Sequence, residues 1–270
     1  NTGVRVAKAN YIAFFDDDVE IEPDCLYQLL SAVKEHYTGM VFGKLLKADE
    51  PYRFDEAGGF LTSTGFIWSR AGQNIIDEGQ FDFHVPIFAG KSASCIIKKG
   101  VFNKVGGFDE DFEILGEESD LAWRVWLYGY KVMFNPYARG IHYFNTKFKD
   151  PKVYYTSARV HKNGARNYPT MLFKNLEAHN LWRILPLHLT IWFIACGVML
   201  ITGKVKQALN IWKGIMDFIM RLSKNREKRR LIQERRVVSD EELFKYIFQN
   251  APRGYYMGRF RRYVSQCIHG

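Results

Sequence analysis

Residues 11–18 read Tyr11-Ile12-Ala13-Phe14-Phe15-Asp16-Asp17-Asp18, five apolar or aromatic side chains followed by three carboxylates. Short apolar runs rich in aromatics and ended by a turn signal form buried strands. Acids at the C-terminal end of such a strand lie where open α/β sheets bind ligands. Three adjacent carboxylates repel one another, and a cation relieves that repulsion. Their oxygens suit hard ions such as Mg²⁺ or Mn²⁺, and those ions suit phosphate. The plainer alternative is an acidic loop that caps the helix after it.

That helix is signalled by Glu22-Pro23-Asp24, with Pro tolerated in a first turn and acids matching the positive dipole end. It is expected from Cys25 to about Glu35, with Leu26, Leu29, Leu30 and Val33 as its apolar stripe. A strand follows at Met40–Leu46, completing a βαβ pattern and an α/β fold. Residues 51–90 carry many glycines and aromatics without a helical period, and read as short strands and loops. Ser94–Lys98 reads as a strand and Gly106-Gly107-Phe108-Asp109 as a turn. Asp120–Tyr128 reads as a helix stopped by Gly129. Lys131–Phe134 reads as a strand closed by Asn135-Pro136.

A second acidic group precedes that helix: Asp109-Glu110-Asp111, then Gly116-Glu117-Glu118-Ser119-Asp120. Acids at a helix N-terminus are favourable for dipole reasons alone, and Asp120 and Arg124 are spaced to pair. A structural reading therefore stands beside a catalytic one.

The chain has 270 residues, 47% hydrophobic and 25% charged, which excludes a disordered or low-complexity protein. Its net charge of +9 is unevenly placed: residues 1–146 carry 14 basic and 21 acidic side chains, residues 147–270 carry 24 and 8. A uniformly basic nucleic-acid binder does not fit, and no nucleic-acid partner is expected. Cys25, Cys95, Cys196 and Cys267 have neither metal-ligand nor CxxC spacing, so a reducing compartment is expected.

The rear begins with a basic helix expected at Tyr154–Tyr168. Leu181–Thr202 is the most apolar stretch, and Leu189–Thr202 holds 14 residues without a charge. A spanning helix needs about 20 apolar residues, so a membrane segment at 184–202 and a buried soluble helix both remain open. Residues 203–236 hold 11 basic and 3 acidic side chains, with Trp212, Ile215, Met216, Ile219 and Met220 at helical spacing. Such a segment suits an interface helix on anionic lipid, and its positive charge marks a cytoplasmic flank.

Taken in order, these motifs resemble the family 2 glycosyltransferases, whose catalytic domain has the GT-A fold, a mixed Rossmann-like sheet flanked by helices. Asn1-Thr2-Gly3-Val4-Arg5 resembles the helix leading into the central strand. Phe15-Asp16-Asp17-Asp18-Val19 resembles the DxD motif. Val105-Gly106-Gly107-Phe108-Asp109-Glu110 resembles the acceptor-side turn. Gly116-Glu117-Glu118-Ser119-Asp120-Leu121, with Arg124 and Gly129-Tyr130-Lys131-Val132, resembles the Glu-Asp motif and its helix and strand. Asn135-Pro136 and Ile141-His142 match the strand end beyond.

The resemblance implies an inverting transfer of a sugar from a nucleotide diphosphate sugar to a hydroxyl of a cell-envelope glycan or lipid-linked acceptor. It gives Mg²⁺ or Mn²⁺ to Asp16 and Asp18, with His142 completing the shell. Asp17 would contact ribose or donor sugar. Glu118 would be the base, with Glu117 and Asp120 as the other possibilities. It further implies a catalytic domain over 1–150 lacking its first strand-helix-strand, a helical membrane-associated region over 151–236 and a basic tail over 237–270. Arg159, Lys162 and Arg166 would face phosphates, and the protein would work at the cytoplasmic face of the cell membrane. Two other functions share the acidic turn: an inactive binding module and a Mg²⁺-dependent phosphohydrolase.

Overall fold

The computed structural model describes residues 1–71, 75–143, 158–252 and 254. A short helix, α1 (Thr2–Val6), leads into β1 (Tyr11–Phe15), the strand expected from its aromatic run. Next come β2 (Val19–Ile21), α2 (Cys25–Lys34) and β3 (Thr38–Lys47). Residues 51–90 form the expected short strands: β4 (Phe54–Glu56), β5 (Gly59–Leu61), β6 (Ile67–Ser69) and β7 (Val85–Pro86). The front closes with β8 (Ser94–Lys98), α3 (Lys99–Val105), α4 (Glu117–Leu127) and β9 (Lys131–His142).

The main sheet runs β1-β8-β3-β9-β2, with β4 added to β3 and β7 to β9. Strands β3 and β9 are parallel, and the other pairs are antiparallel. This is the expected mixed sheet. Its side chains alternate between two covered faces, as the period of a strand requires. Val41 and Ile96 point towards Cys25, Leu29 and Val33 of α2. Met40, Phe42, Cys95 and Ile97 point into the larger core with Trp123 and Leu127 of α4.

One expected boundary moves. Asn135-Pro136 does not close β9; the strand continues to His142. The register to β3 jumps instead, from Gly43↔Asn135 to Lys44↔Arg139. Proline cannot donate to the ladder and sits at such irregularities. Asn135 anchors the jump: its Nδ2 donates to the Gln28 carbonyl and its Oδ1 accepts from the Tyr137 amide, both at 2.9 Å. Gly43 permits the close approach, since a Cβ there would lie 2.5 Å from the Ala138 carbonyl oxygen. After the jump, β9 pairs with β2 and sets His142 opposite Val19.

The rear is helical: α5 (Ala158–Asn175), α6 (Ala178–Ile201), α7 (Val205–Met220), α8 (Leu222–Arg235) and α9 (Asp240–Ile247). The expected helix at Tyr154–Tyr168 is matched from Ala158 onward, its first residues lying outside the described ones, as does half of the expected tail over 237–270. Met171, Leu172, Leu181, Ile184, Ile232 and Leu243 join Phe42, Trp123 and Phe134 in one apolar cluster. Residues on both sides of the expected boundary near 150 therefore share a core.

Charge binds the halves as well. Lys174 of α5, buried, reaches Asp109 at 2.5 Å and Asp120 at 2.9 Å. Lys224 reaches Asp111 at 2.7 Å, and Lys228 bonds both Asp109 and Asp111. The contrast between acidic front and basic rear is thus partly an internal match. Lys162 and Arg166, expected to face phosphates, lie 3.1 and 4.0 Å from Asp217, and Arg166 is buried.

Candidate metal and transfer site

β1 and β2 hold the acidic turn between them. Backbone bonds fix it: the Asp16 amide donates to the Ala93 carbonyl and the Tyr143 amide to the Asp18 carbonyl. The β2–β9 ladder then brings His142, 124 residues on from Asp18 in the chain, beside that turn. One ligand atom each from Asp16, Asp18 and His142 lies within 4.8 Å of the others. The His142 Nε2 is 3.2 Å from Asp18 Oδ1. Two carboxylates and one imidazole make a donor set that accepts Mn²⁺ readily and Mg²⁺ through its oxygens. Burial raises the Asp16 carboxyl, and the charges of Asp18 and Asp17 raise it further against the pull of His142. A cation at this point would relieve that repulsion. Asp17 is exposed at the surface of the turn.

Residues outside the sequence motifs brace the group. Asp55 Oδ2 lies 2.7 Å from His142 Nδ1, and both Asp55 oxygens accept from Lys91 Nζ at 2.6 Å. Burial opposes ionisation of Asp55, but Lys91 and His142 prevail and hold its pKa at about 2. An ionised Asp55 favours the His142 tautomer with the proton on Nδ1, which leaves the Nε2 lone pair towards Asp16 and Asp18. Asp55 was hidden in the aromatic stretch 51–90; an acidic pair directly before Ala57-Gly58-Gly59 was its only signal.

The second acidic group arrives from the start of α4. Leu115 and Gly116 both adopt left-handed backbone, at φ 73° and 86°. That conformation costs a non-glycine residue about 1–3 kcal/mol. Asn167 of α5 holds the turn, its Nδ2 donating to the Ile114 and Leu115 carbonyls at 2.9 Å. The turn delivers Glu117 and Glu118 together. Burial, then the Glu117 charge and the hydrogen bond between the two, push Glu118 well above the usual carboxylate range. The Glu56 charge adds to this, and Glu56 is itself raised by burial. Glu117 is also raised, first by burial and also by the charge of Asp16, so the two acidic groups lie within electrostatic reach. Its Oε2 is buried without a hydrogen-bond partner.

Asp120 has different company. It is buried, bonds Arg124 Nε at 3.0 Å and Asn175 Nδ2 at 2.9 Å, and pairs with Lys174. Burial would raise its carboxyl, but Lys174 and Arg124 hold it low. An acid ionised and enclosed by cations is a poor proton acceptor. Asp120 and Arg124, spaced to pair, form an ion pair at 2.9 Å.

Residues 1–96 match the family model described as Glycosyl transferase family 2. This part of the chain is similar to that family. The chain is 30% identical over 156 residues to human polypeptide N-acetylgalactosaminyltransferase 14, covering 54% of this chain and 28% of that protein. It is 28% identical over 150 residues to the O-antigen biosynthesis protein RfbC of Myxococcus xanthus, covering 53% of this chain and 12% of that one. It thus spans about a quarter or less of the length of these relatives. A crystal structure of GalNAc-T7 with UDP, GalNAc and Mn²⁺ is similar at TM-score 0.42 and 15% identity, over 62% of this chain and 37% of that chain.

Proposed function

We propose that this chain is the catalytic part of a divalent-metal-dependent, inverting glycosyltransferase. It would move a sugar from a nucleotide diphosphate sugar to a hydroxyl of a cell-envelope glycan or lipid-linked acceptor. The observation that carries the reading is the juxtaposition of two acidic groups: Asp16, Asp18 and His142 on one side, Glu117 and Glu118 on the other.

Asp16, Asp18 and His142 would hold Mg²⁺ or Mn²⁺. When bound, the ion neutralises charge on the diphosphate as it leaves. Asp17, exposed on the same turn, would contact ribose or donor sugar. Glu118 accepts the acceptor's hydroxyl proton as the oxygen bonds to the anomeric carbon and the bond to the diphosphate breaks. Burial and the Glu117 charge raise its pKa, which makes its carboxylate a stronger proton acceptor, and a general base is worth about 10²–10⁴ in rate. Glu117 tunes Glu118 by charge and hydrogen bond.

The apolar helix α6 supports work at a membrane surface, and the basic residues after it support the cytoplasmic face. The test is calorimetric titration of Mn²⁺ with UDP or GDP present, followed by assay of donor turnover. Metal-dependent nucleotide binding that Asp18→Ala abolishes is expected. Binding without turnover would mark an inactive module, and release of inorganic phosphate would mark a phosphohydrolase.

A further inference from the structure

Helices α6 and α7 form a hairpin with two unlike sides. The inner side is committed to protein. Leu181 and Ile184 enter the main core, His188 Nδ1 lies 2.9 Å from the Thr64 carbonyl oxygen, and Met199 packs with Ala165, Ala208 and Ile211. The outer side is apolar and open to solvent: Phe193, Ile194, Ile201, Val205, Leu209 and Trp212 are all exposed, Ile201 at 88%. The Phe193 and Trp212 rings meet at 6.2 Å, so the patch is continuous across both helices.

Charge decides what covers it. Residues 178–216 contain no Asp or Glu, but do contain Arg183, Lys204, Lys206 and Lys213. A wide apolar face carrying cations and no acid matches the interface of an anionic membrane. It does not match a second copy of the same face, which would bring like charges together.

We infer that the α6–α7 hairpin seats in the plane of an anionic lipid leaflet, with the Phe193–Trp212 face among the acyl chains and α6 not crossing the bilayer. By length and composition α6 could span. A spanning helix, however, meets hydrocarbon around its circumference, whereas the inner side of α6 is held along its length by α5, α7 and the Thr64 turn. The inference rests on the proposed function and deepens its membrane partner, by attaching the chain to a leaflet of the kind in which a lipid-linked acceptor would reside.

The test is flotation of the full chain with phosphatidylcholine vesicles, with and without phosphatidylglycerol. Binding is expected only with the anionic lipid, and Ile201→Asp/Leu209→Asp should weaken it at least about tenfold at unchanged circular dichroism and Mn²⁺ affinity. Spin labels at Ile194→Cys and Leu209→Cys should both report shallow depth on the side of addition. Unaltered vesicle binding by the double variant, a label at the bilayer centre, or burial of the face in a detergent-free dimer would each overturn the inference. Vesicle binding needs neither metal nor donor, so its failure is distinct from failure of the transferase reading.

Discussion

Asp55→Ala should weaken Mn²⁺ binding although Asp55 is not itself among the ligands. In the native site, Asp55 accepts from His142 Nδ1 at 2.7 Å and from Lys91 at 2.6 Å through each oxygen. Removal of a carboxylate that orients a ligating histidine costs about 10–100-fold in metal affinity, or about 1.4–2.7 kcal/mol. Here a second effect adds. Lys91 already acts electrostatically on Asp16, and without Asp55 its charge opposes an incoming cation. The upper end, about 100-fold, is therefore expected. Asp55→Asn keeps an acceptor for Nδ1–H but loses the charge, and should fall between Ala and wild type. Mn²⁺ titration followed by electron paramagnetic resonance measures all three, with circular dichroism to confirm folding. If Asp55→Ala binds Mn²⁺ within about twofold of wild type while His142→Ala does not bind, the positioning argument is refuted.

Lys174→Met leaves Asp109 and Asp120 buried without their shared cation, and should cost about 3–5 kcal/mol in urea unfolding. A loss under about 1 kcal/mol would show that the network adds little to stability. Glu118→Gln should abolish transfer yet stabilise the fold as pH rises. The folded carboxyl is raised above its unfolded value, so its contribution is full below the ordinary Glu pKa and is lost as pH climbs through the folded one. The gap in melting temperature between variant and wild type should widen with pH, and parallel profiles would reject the raised pKa. Asn167→Ala strips the clamp from the Ile114–Leu115 turn and should cost about 1–3 kcal/mol together with transfer activity; a fully active variant would show that the turn holds itself.

Much of this was legible from residues 11–18. An aromatic run ending in acids has few ways to fold, and the strand, the turn and the helix after it all appear where the pattern put them. The Glu117-Glu118 pair was legible too, because acids at a helix start leave a local mark. The extent of β9 was not. Asn135-Pro136 reads locally as a stop, and only the jump in register against β3 carries the strand on to His142. Asp55 and Lys91 were nearly invisible for a related reason: their meaning lies in contacts across the sheet, and beyond the acidic pair before Ala57-Gly58-Gly59 nothing in their neighbours distinguishes them from surface charges. The basic rear misled in the same way. Lys174, Lys224 and Lys228 look solvated in sequence, yet their partners are acids more than 50 residues away. Composition records a charge but not what it faces.

Metal-dependent transfer is tested most directly by release of nucleoside diphosphate from nucleotide sugars by the full chain, followed with and without Mn²⁺. Release is expected to require Mn²⁺, to stop with a chelator and to be lost in both Asp18→Ala and Glu118→Gln. Release that persists in the chelator, or that survives both substitutions, would contradict metal-dependent transfer.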